Sequence, residues 1–323
     1  MKKKILITRT VPDECIAELR DEFEIVQPPA SKGVFDHGEL LELIHDFDAL
    51  FTVVTPCNRD ILEKGTKLKV VGNSGIGYET IDSKFATERG IAIVNTPTIV
   101  PDATAEITLA LMLSLMRGVV SGDKEVRQTG KCVVGIYECE HTMAFGKTVG
   151  ILGFGAIGRV FAKKALGCGM KIIYNDIKRA SPEVEAEYQA TYMSFDDVLK
   201  TADVVSLQIP ILPETVHLIN REKIALMKKD AYLINTARGK IIDEAALAQA
   251  LKDNVIKGAA LDVYEFEPDV TEALLSLDNV VLAPHLGTMT YEVRVFMAKE
   301  ALGGIADVLR GKRPFNVVNP QVL

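Results

Sequence analysis

The sequence predicts an α/β protein built from two doubly wound parallel sheets. Short, continuously apolar runs alternate with helical patterns along the chain, which is typical of parallel strands covered by helices on both faces. The chain has 323 residues, enough for two domains at about 100–200 residues each. A stretch with two prolines, residues 95–101, interrupts the pattern. We therefore expect two successive α/β units.

The first unit begins with four predicted strands. The apolar runs that predict them lie at residues 5–8, 48–54, 68–71 and 91–94. Helical spacing of Cys15, Ile16 and Leu19 predicts a helix after the first strand. Gly90 stands where a glycine cap would end the helix before the last strand. These elements describe a parallel sheet with helical connections.

The second unit is predicted to follow a long helix over residues 102–117. Residues 119–145 show no clear period and are interpreted as an arm or a dimer contact. Six further strands are predicted at residues 148–152, 171–174, 202–208, 231–235, 258–263 and 279–283. Six strands alternating with helices is the number expected for two mononucleotide-binding halves.

Composition and charge exclude several classes of protein. The net charge is −7, so no basic surplus is available to neutralise phosphates, and no nucleic-acid partner is expected. The most apolar stretch, residues 107–116, is shorter than the roughly 18 residues of a membrane span. The apolar run behind the N-terminal lysines is too short for a signal peptide. Five scattered cysteines without CxxC spacing are expected to be reduced: Cys15, Cys57, Cys132, Cys139 and Cys168. We expect a cytoplasmic protein.

A glycine-rich turn joins a predicted strand to a predicted helix at residues 153–158. Its sequence is Gly-Phe-Gly-Ala-Ile-Gly. In this context Gly153 permits a tight turn, Gly155 lets the backbone approach a pyrophosphate, and Gly158 lets the helix pack on the strand. The free N–H groups at the helix N-terminus attract phosphate. The pattern predicts a dinucleotide site.

An acidic residue at the end of the next strand favours one dinucleotide. Asp176 lies 176 − 158 = 18 residues after the last glycine of the turn, near the spacing of about 20 expected for the acid that binds the ribose. A carboxylate there accepts hydrogen bonds from ribose hydroxyls and repels a 2′-phosphate. NAD is therefore favoured over NADP, although Lys178 and Arg179 close behind keep NADP open.

Three ionisable residues lie just past the ends of three apolar strands. They are Arg238, Glu267 and His285. In an open parallel sheet, ligands bind beyond the carboxyl ends of the strands, so the three side chains are expected at the crevice that holds the dinucleotide. Each alone could be an ordinary turn or structural residue. Together, a guanidinium, a carboxylate and an imidazole beside a nicotinamide suffice to reduce a 2-oxo acid. No histidine pair has metal-ligand spacing, so no metal is expected.

These motifs resemble the NAD-dependent D-isomer-specific 2-hydroxyacid dehydrogenases. Within that family the chain is most similar to the glyoxylate/hydroxypyruvate reductase and phosphoglycerate dehydrogenase branch, and the likeness covers nearly the whole chain. Besides the glycine-rich turn with Asp176, the segments that carry it are residues 72–77, 104–106, 234–239, 261–268 and 284–287.

The resemblance implies a role for each site residue. Arg238 would bind the substrate carboxylate and polarise the 2-oxo group, and His285 would donate the proton that reduction needs. Glu267 would orient His285 and raise its pKa. The backbone around Ile76 and Gly77 would hold the carboxylate from the other domain. Cofactor contacts are implied at Thr104, Gly153, Gly155, Ala156, Ile157, Gly158, Asp176, Ile209, Thr236, Ala237 and Asp262.

The resemblance also implies an architecture and an activity. A Rossmann NAD-binding domain, residues 100–290, would be inserted into a flavodoxin-like substrate domain formed by residues 1–99 and 291–323. The expected enzyme is a homodimer that reduces a short 2-oxo acid such as glyoxylate or hydroxypyruvate with NADH, reversibly, to the D-2-hydroxy acid. Residues 119–145 would form the dimer contact. The alternative is an NAD-sensing, corepressor-like interaction protein on the same scaffold.

Overall fold

A computed structural model describes residues 2–132 and 141–323 of the chain. The chain divides into two compact units by its contacts. One contains the residues up to Val100 together with Met289–Leu323, and the other is Pro101–Thr288. The boundaries expected from the sequence differ from these by one residue at the first junction and by two at the second.

The first unit is built on a five-stranded parallel sheet. Its elements before Val100 are, in chain order, β1 (Lys4–Ile7), β2 (Glu24–Val26), α1 (His37–Leu43), β3 (Ala49–Thr52), α2 (Arg59–Lys64), β4 (Val70–Asn73), α3 (Ser83–Glu88) and β5 (Ala92–Val94). The strand order β2-β1-β3-β4-β5 is that of flavodoxin-like folds, as expected. All four pairings are parallel.

Successive residues of these strands enter different apolar clusters, which explains the continuous apolar runs. Ile5 and Ile7 pack in one cluster, and Leu6 packs in the other. Two features differ from the expectations. The edge strand β2 was missed because it has three residues, none of them fully buried. The helix expected around Cys15 is a pair of short 3₁₀ turns, Asp13–Cys15 and Ala17–Leu19.

The second unit carries a seven-stranded parallel sheet. Its elements are α4 (Val100–Met116), α5 (Val119–Thr129), β6 (Thr148–Leu152), α6 (Ala156–Gly167), β7 (Lys171–Asn175), α7 (Pro182–Glu187), β8 (Ala190–Tyr192), α8 (Phe195–Thr201), β9 (Val204–Leu207), α9 (Arg221–Ile224), β10 (Tyr232–Asn235), α10 (Glu244–Lys252), β11 (Gly258–Leu261), α11 (Glu272–Leu275) and β12 (Val280–Leu282). Six of these strands match the predicted ones, and the three-residue edge strand β8 was missed.

The strand order is β12-β11-β10-β9-β6-β7-β8. It is the doubly wound order of Rossmann domains with one strand added at the edge, so the predicted fold class is confirmed. The order reverses between β6 and β9, where the loops after the strands diverge and leave a crevice. Apolar clusters cover both faces of the sheet.

The segment at residues 119–145 is partly helical. Helix α5 has no buried residue. Residues 133–140, which include Cys139, lie outside the described part of the chain. Among the described residues, no single helix is long and apolar enough to cross a membrane; α4 and α5 meet that criterion only as a pair bent by 58°.

The chain then returns to the first unit in α12 (Tyr291–Leu309). This helix packs Ala298, Ala301 and Ile305 onto the sheet. The contact with β4 is close, since a Cβ added to Gly72 would lie 2.6 Å from Cδ1 of Ile305.

Candidate active site

Three glycines with different surroundings shape the turn between β6 and α6. Gly153 has φ +96°, and a Cβ there would lie 2.4 Å from the carbonyl oxygen of Gln208. A Cβ on Gly158 would lie 2.1 Å from the carbonyl oxygen of Gly153, so the helix packs directly on the strand. Gly155 is exposed, and nothing lies within 4 Å of a Cβ built there. Packing requires two of the glycines, and the third leaves the N-terminus of α6 open to an anion.

Asp176 follows β7, and its carboxylate contacts the glycine-rich turn. One oxygen accepts a hydrogen bond from the Phe154 N–H at 2.7 Å, and the other accepts from the Lys178 N–H at 3.2 Å. Phe154 stacks on buried Tyr174 with ring centroids 4.1 Å apart. The carboxylate is therefore fixed beside the turn, and its oxygens keep lone pairs for ribose hydroxyls.

Arg179, one of the two cations near Asp176 that could bind the 2′-phosphate of NADP, is paired with a carboxylate. Its Nε and Nη2 donate to the two oxygens of Glu185 at 2.8 and 2.9 Å. The Tyr174 hydroxyl donates to the same carboxylate at 2.7 Å. The hydrogen bonds from Arg179 and Tyr174 lower the pKa of Glu185 to about 2. The guanidinium would have to leave this pair to bind a 2′-phosphate.

A buried cluster of hydroxyl and amide groups lies at the carboxyl ends of β9 and β10. The hydroxyl oxygens of Thr108 and Thr236 are 2.7 Å apart. The Gln208 amide donates to Ser206 at 3.0 Å and to Thr236 at 3.3 Å. Thr104, one helical turn before Thr108, is also buried. Thr104 and Thr236 were predicted from the sequence. Thr108, Ser206 and Gln208 were missed, because in the sequence each is only a polar residue within or beside an apolar element.

Arg238 lies three residues past the end of β10, in a loop held by Asn235. The Asn235 side chain accepts from the Ala237 N–H at 3.1 Å and donates to the Arg238 carbonyl at 3.0 Å. The next residue, Gly239, touches a neighbouring loop, since a Cβ there would lie 1.8 Å from the carbonyl carbon of Tyr264. The backbone that carries Arg238 is thus fixed on both sides.

Glu267 and His285 form a hydrogen-bonded pair. Glu267 lies in the loop after β11, and His285 lies in the loop after β12. The His285 Nδ1 is 3.1 Å from Oε2 of Glu267, and Oε1 of Glu267 accepts from the Tyr264 N–H at 2.9 Å. The His285 side chain is 54% exposed, so the imidazole is accessible. The other ring nitrogen takes no part in this pair.

The neighbouring charges and hydrogen bonds shift the pKa values of both His285 and Glu267. The hydrogen bond to Glu267 raises the pKa of His285, against burial and the Arg238 charge. Burial raises the pKa of Glu267, but hydrogen bonds from His285 and from the Tyr264 N–H, with the charges of His285 and Arg238, outweigh it, so the pKa falls below its usual range. The charge of Arg238 therefore acts on Glu267 and on His285 alike.

Comparisons with known proteins show which family the chain belongs to. Residues 109–287 match the model of the D-isomer specific 2-hydroxyacid dehydrogenase NAD binding domain. A glyoxylate reductase of Thermococcus litoralis is 42% identical over 100% of this chain and 98% of its own length.

The chain belongs to the D-isomer-specific 2-hydroxyacid dehydrogenase family.

Two solved structures of this family's reductases match nearly full length. A glyoxylate reductase from Paecilomyes thermophila, 32% identical, covers 99% of both chains with a TM-score of 0.88. An NADPH-dependent glyoxylate/hydroxypyruvate reductase from Sinorhizobium meliloti, solved with citrate, is 25% identical, with a TM-score of 0.83 and coverage of 99% of this chain and 98% of its own. The resemblance expected from the sequence is confirmed, and this dehydrogenase is an oxidoreductase that uses a nicotinamide cofactor.

The remaining implied cofactor positions of the dehydrogenase lie along the same sheet edge. Ala156 and Ile157 form the first turn of α6. Ile209 follows β9 beside the glycine-rich turn, and its Cγ2 would lie 2.8 Å from a Cβ on Gly153. Ala237 lies between β10 and Arg238. The open glycine, the fixed carboxylate of Asp176 and this row of small or apolar residues fit a dinucleotide.

Asp262 binds the backbone of the loop that carries His285. Its carboxylate is 1% exposed and accepts from the N–H groups of Leu286 at 2.6 Å and Gly287 at 2.9 Å. Burial raises the pKa of Asp262, and these N–H groups oppose that rise. His285 has φ +58°, a left-handed conformation that is rare for a residue with a side chain. The hydrogen bonds to Asp262 fix the two peptide groups that follow His285 in the chain.

A second set of carboxylates fixes the loop that leads to Glu267. The Glu265 N–H donates to buried Glu244 at 2.6 Å, and the other Glu244 oxygen accepts from the Thr271 hydroxyl at 2.5 Å. Glu265 in turn contacts His217 Nε2 at 2.6 Å. Sequence reasoning missed Glu244 and Glu265, because nothing in the sequence joins two positions that are 21 residues apart, with α10 and β11 between them.

Ile76 and Gly77, the implied substrate-binding backbone, lie in the first unit. They follow β4, and both are partly buried. Among residues 2–132 and 141–323, no group of three or more His, Cys, Asp or Glu side chains could hold a metal ion.

Proposed function

We propose that this dehydrogenase reduces glyoxylate or a similarly short 2-oxo acid, such as hydroxypyruvate, with NADH to the D-2-hydroxy acid, and that the reaction is reversible. The observation that carries the proposal is the accessible His285–Glu267 pair within the field of Arg238, at the sheet edge that also bears the glycine-rich turn. The reductases among its relatives support the choice of substrate.

Each of the three side chains has a distinct role. Arg238 binds the substrate carboxylate and polarises the 2-oxo group through its planar set of donors. His285 donates its proton to the carbonyl oxygen during reduction and accepts it back during oxidation. Glu267 orients the imidazole and, by raising its pKa, keeps it protonated at a higher pH.

The cofactor supplies the hydride that C2 of the oxo acid receives. The N-terminus of α6 with Gly155, Ala156 and Ile157 would hold the pyrophosphate. Asp176 would accept hydrogen bonds from the adenosine ribose. Other contacts would come from Thr104, Gly153, Gly158, Ile209, Thr236, Ala237 and Asp262. We infer a preference for NADH, because Asp176 repels a 2′-phosphate and Arg179 is held by Glu185.

The two units divide the work. Residues 100–290 bind the cofactor and supply Arg238 and the proton donor, and residues 1–99 with 291–323 contribute to substrate binding through the backbone of Ile76 and Gly77. We also infer a cytoplasmic homodimer. Helix α5 supports the dimer, since Val119, Val120 and Val126 are 58, 49 and 47% exposed.

Purified protein tests the proposal directly. NADH and NADPH are offered with a panel of 2-oxo acids, and oxidation of the cofactor is followed by its absorbance. The expected result is turnover of glyoxylate and hydroxypyruvate with a higher kcat/KM for NADH. Absence of turnover with every acid in the panel, despite NADH binding, would overturn the proposal. Size-exclusion chromatography with light scattering measures the oligomeric state.

A further inference from the structure

The loop after β4 has three consecutive carbonyl groups that point at two asparagine side chains. The Asn73 Nδ2 donates to the carbonyl oxygens of Gly75 at 3.2 Å and Gly77 at 2.6 Å. The Asn95 Nδ2 donates to the carbonyl oxygen of Ile76, which lies between them, at 2.9 Å. Neither asparagine was singled out in the sequence.

Both donors are held in place. Asn73 is the last residue of β4 and is 5% exposed, and its Oδ1 accepts from the Thr52 hydroxyl at 3.4 Å. That contact sets which way the amide faces. Asn95 follows the adjacent strand β5, and its backbone is paired with Asn316: its N–H donates to the Asn316 carbonyl at 3.1 Å, and its carbonyl accepts from the Asn316 Nδ2 at 2.7 Å.

The positions of these carbonyls determine where the N–H groups point. In a trans peptide the C=O and N–H lie on opposite sides of the C–N bond in one plane. The peptides that join residues 75–78 are trans, since the cis bond found among the described residues is Glu267–Pro268. The N–H groups of Ile76, Gly77 and Tyr78 are therefore turned away from the two asparagines.

These three N–H groups are available to a ligand. Within the part of the chain that the structure describes, none of them donates to a protein acceptor, and the three residues are only partly buried. Here outside donors satisfy each carbonyl and every N–H stays open. Backbone N–H groups that are left open in a loop can bind anions, carboxylates among them.

We propose that Asn73 and Asn95 are positioning residues that orient the N–H groups of Ile76, Gly77 and Tyr78 as a carboxylate-binding array. The identity of the carboxylate as that of the 2-oxo acid rests on the proposed function. The asparagines do not touch the substrate. They act by fixing three peptide planes, and because they are neutral they do so at any pH at which the enzyme is folded.

The test is the affinity for a carboxylate, measured apart from turnover. Calorimetry of oxamate binding to the protein–NADH complex gives a Kd that does not depend on catalysis. In Asn95→Ala and Asn73→Ala we expect this Kd and the KM for glyoxylate to rise about tenfold, the effect of losing one well-oriented charge-assisted hydrogen bond. The Kd for NADH and the pH profile of kcat/KM should not change. Asn95→Asp, which keeps the size and loses the donor, should weaken oxamate binding at least as much.

Asn319→Ala is the matched control. Asn319 is a buried asparagine of the same unit, and its side chain donates to the Ile91 carbonyl at 2.9 Å and accepts from the Ile93 N–H at 2.7 Å. It should lower the Tm, as the test variants do, without changing the Kd for oxamate. If Asn95→Ala and Asn95→Asp lower only the Tm and bind oxamate as the native protein does, the inference is wrong. If the native protein binds oxamate but reduces no 2-oxo acid, the proposed function fails while the array stands.

Discussion

The carboxyl edges of the two sheets provide different chemistry. The seven-stranded sheet presents the ionisable side chains Arg238, Glu267 and His285. Asn235 holds the backbone of Arg238, the Tyr264 N–H holds Glu267, and Glu267 holds His285. In the five-stranded sheet, residues 73–78 and 95–99, after β4 and β5, contain no Asp, Glu, Lys, Arg or His. They offer backbone N–H groups oriented by neutral amides.

This difference places the groups that titrate at one edge and backbone dipoles that do not titrate at the other. Groups that titrate are close to one another at a single edge, where each charge adjusts the pKa of the others. Fixed dipoles at the other edge bind without titrating. The dependence of the reaction on pH should therefore arise at the seven-stranded sheet alone, and four substitutions there test this view.

The largest effect is expected from His285→Ala. Without the proton donor, kcat for glyoxylate reduction should fall by about 10²–10⁴-fold. NADH binding, followed by fluorescence titration, should be retained. His217→Ala is a matched control, because His217 also pairs with a glutamate, at 2.6 Å, and has a positive φ of 51°. Activity close to native in His285→Ala would refute the assignment of the proton donor to this sheet.

Arg238→Lys should have the next largest effect. A lysine keeps the charge but loses the planar pair of donors, so one charge-assisted hydrogen bond of about 1.5–3 kcal/mol is lost. We expect kcat/KM for glyoxylate to fall about 10–100-fold. Lys240→Arg, two residues away and exposed, is the control. A native kcat/KM would mean that the N–H array binds the carboxylate without help from this guanidinium.

Asp176→Ser examines the cofactor end of the same edge. Removal of the carboxylate should raise the ratio of kcat/KM for NADPH over NADH about tenfold, since a like-charge repulsion of at least about 1.4 kcal/mol disappears. Asp196→Ser, an exposed aspartate paired with Lys223, is the control. An unchanged ratio would show that Asp176 has only a structural role, as acceptor of the hydrogen bond from the Phe154 N–H.

The smallest effect at low pH is expected from Glu267→Gln. Reduction needs protonated His285, so kcat/KM falls as the pH rises through the pKa of this residue, which Glu267 raises. Glutamine keeps a hydrogen bond and loses the charge. The variant should therefore work well in acid and lose activity at a lower pH than the native enzyme. The measurement is the dependence of kcat/KM on pH in the native protein and in the variant. Coincident profiles would show that Glu267 does not raise the pKa of His285.

Much of this site could be predicted because strand ends can be located in a sequence. Apolar runs locate β10, β11 and β12, and parallel topology places whatever follows them at one edge. Arg238, Glu267 and His285 were found in this way, and the glycine-rich turn was recognised by its spacing. Longer buried strands were also found, whereas the short edge strands β2 and β8 carry too few apolar residues to stand out.

The supporting residues could not be predicted for a physical reason. An asparagine at a strand end, such as Asn73, looks like any turn residue until the folded loop brings the carbonyl groups of Gly75 and Gly77 to its side chain. Glu244 in the sequence is an ordinary first-turn acid of a helix, and only tertiary packing shows that it is buried against Thr271 and the Glu265 N–H. Such roles depend on the third dimension and leave no periodic signal.

The contact between Gly239 and Tyr264 has a consequence for how such an enzyme can diversify. The backbone of Gly239 packs against the backbone of Tyr264 there, with no room for even a methyl group. The distance between Gly239 and the loop that leads to Glu267 therefore cannot be changed by side-chain substitutions. Acceptance of bulkier or smaller acids must then come from replacements elsewhere in the molecule, while this junction stays constant.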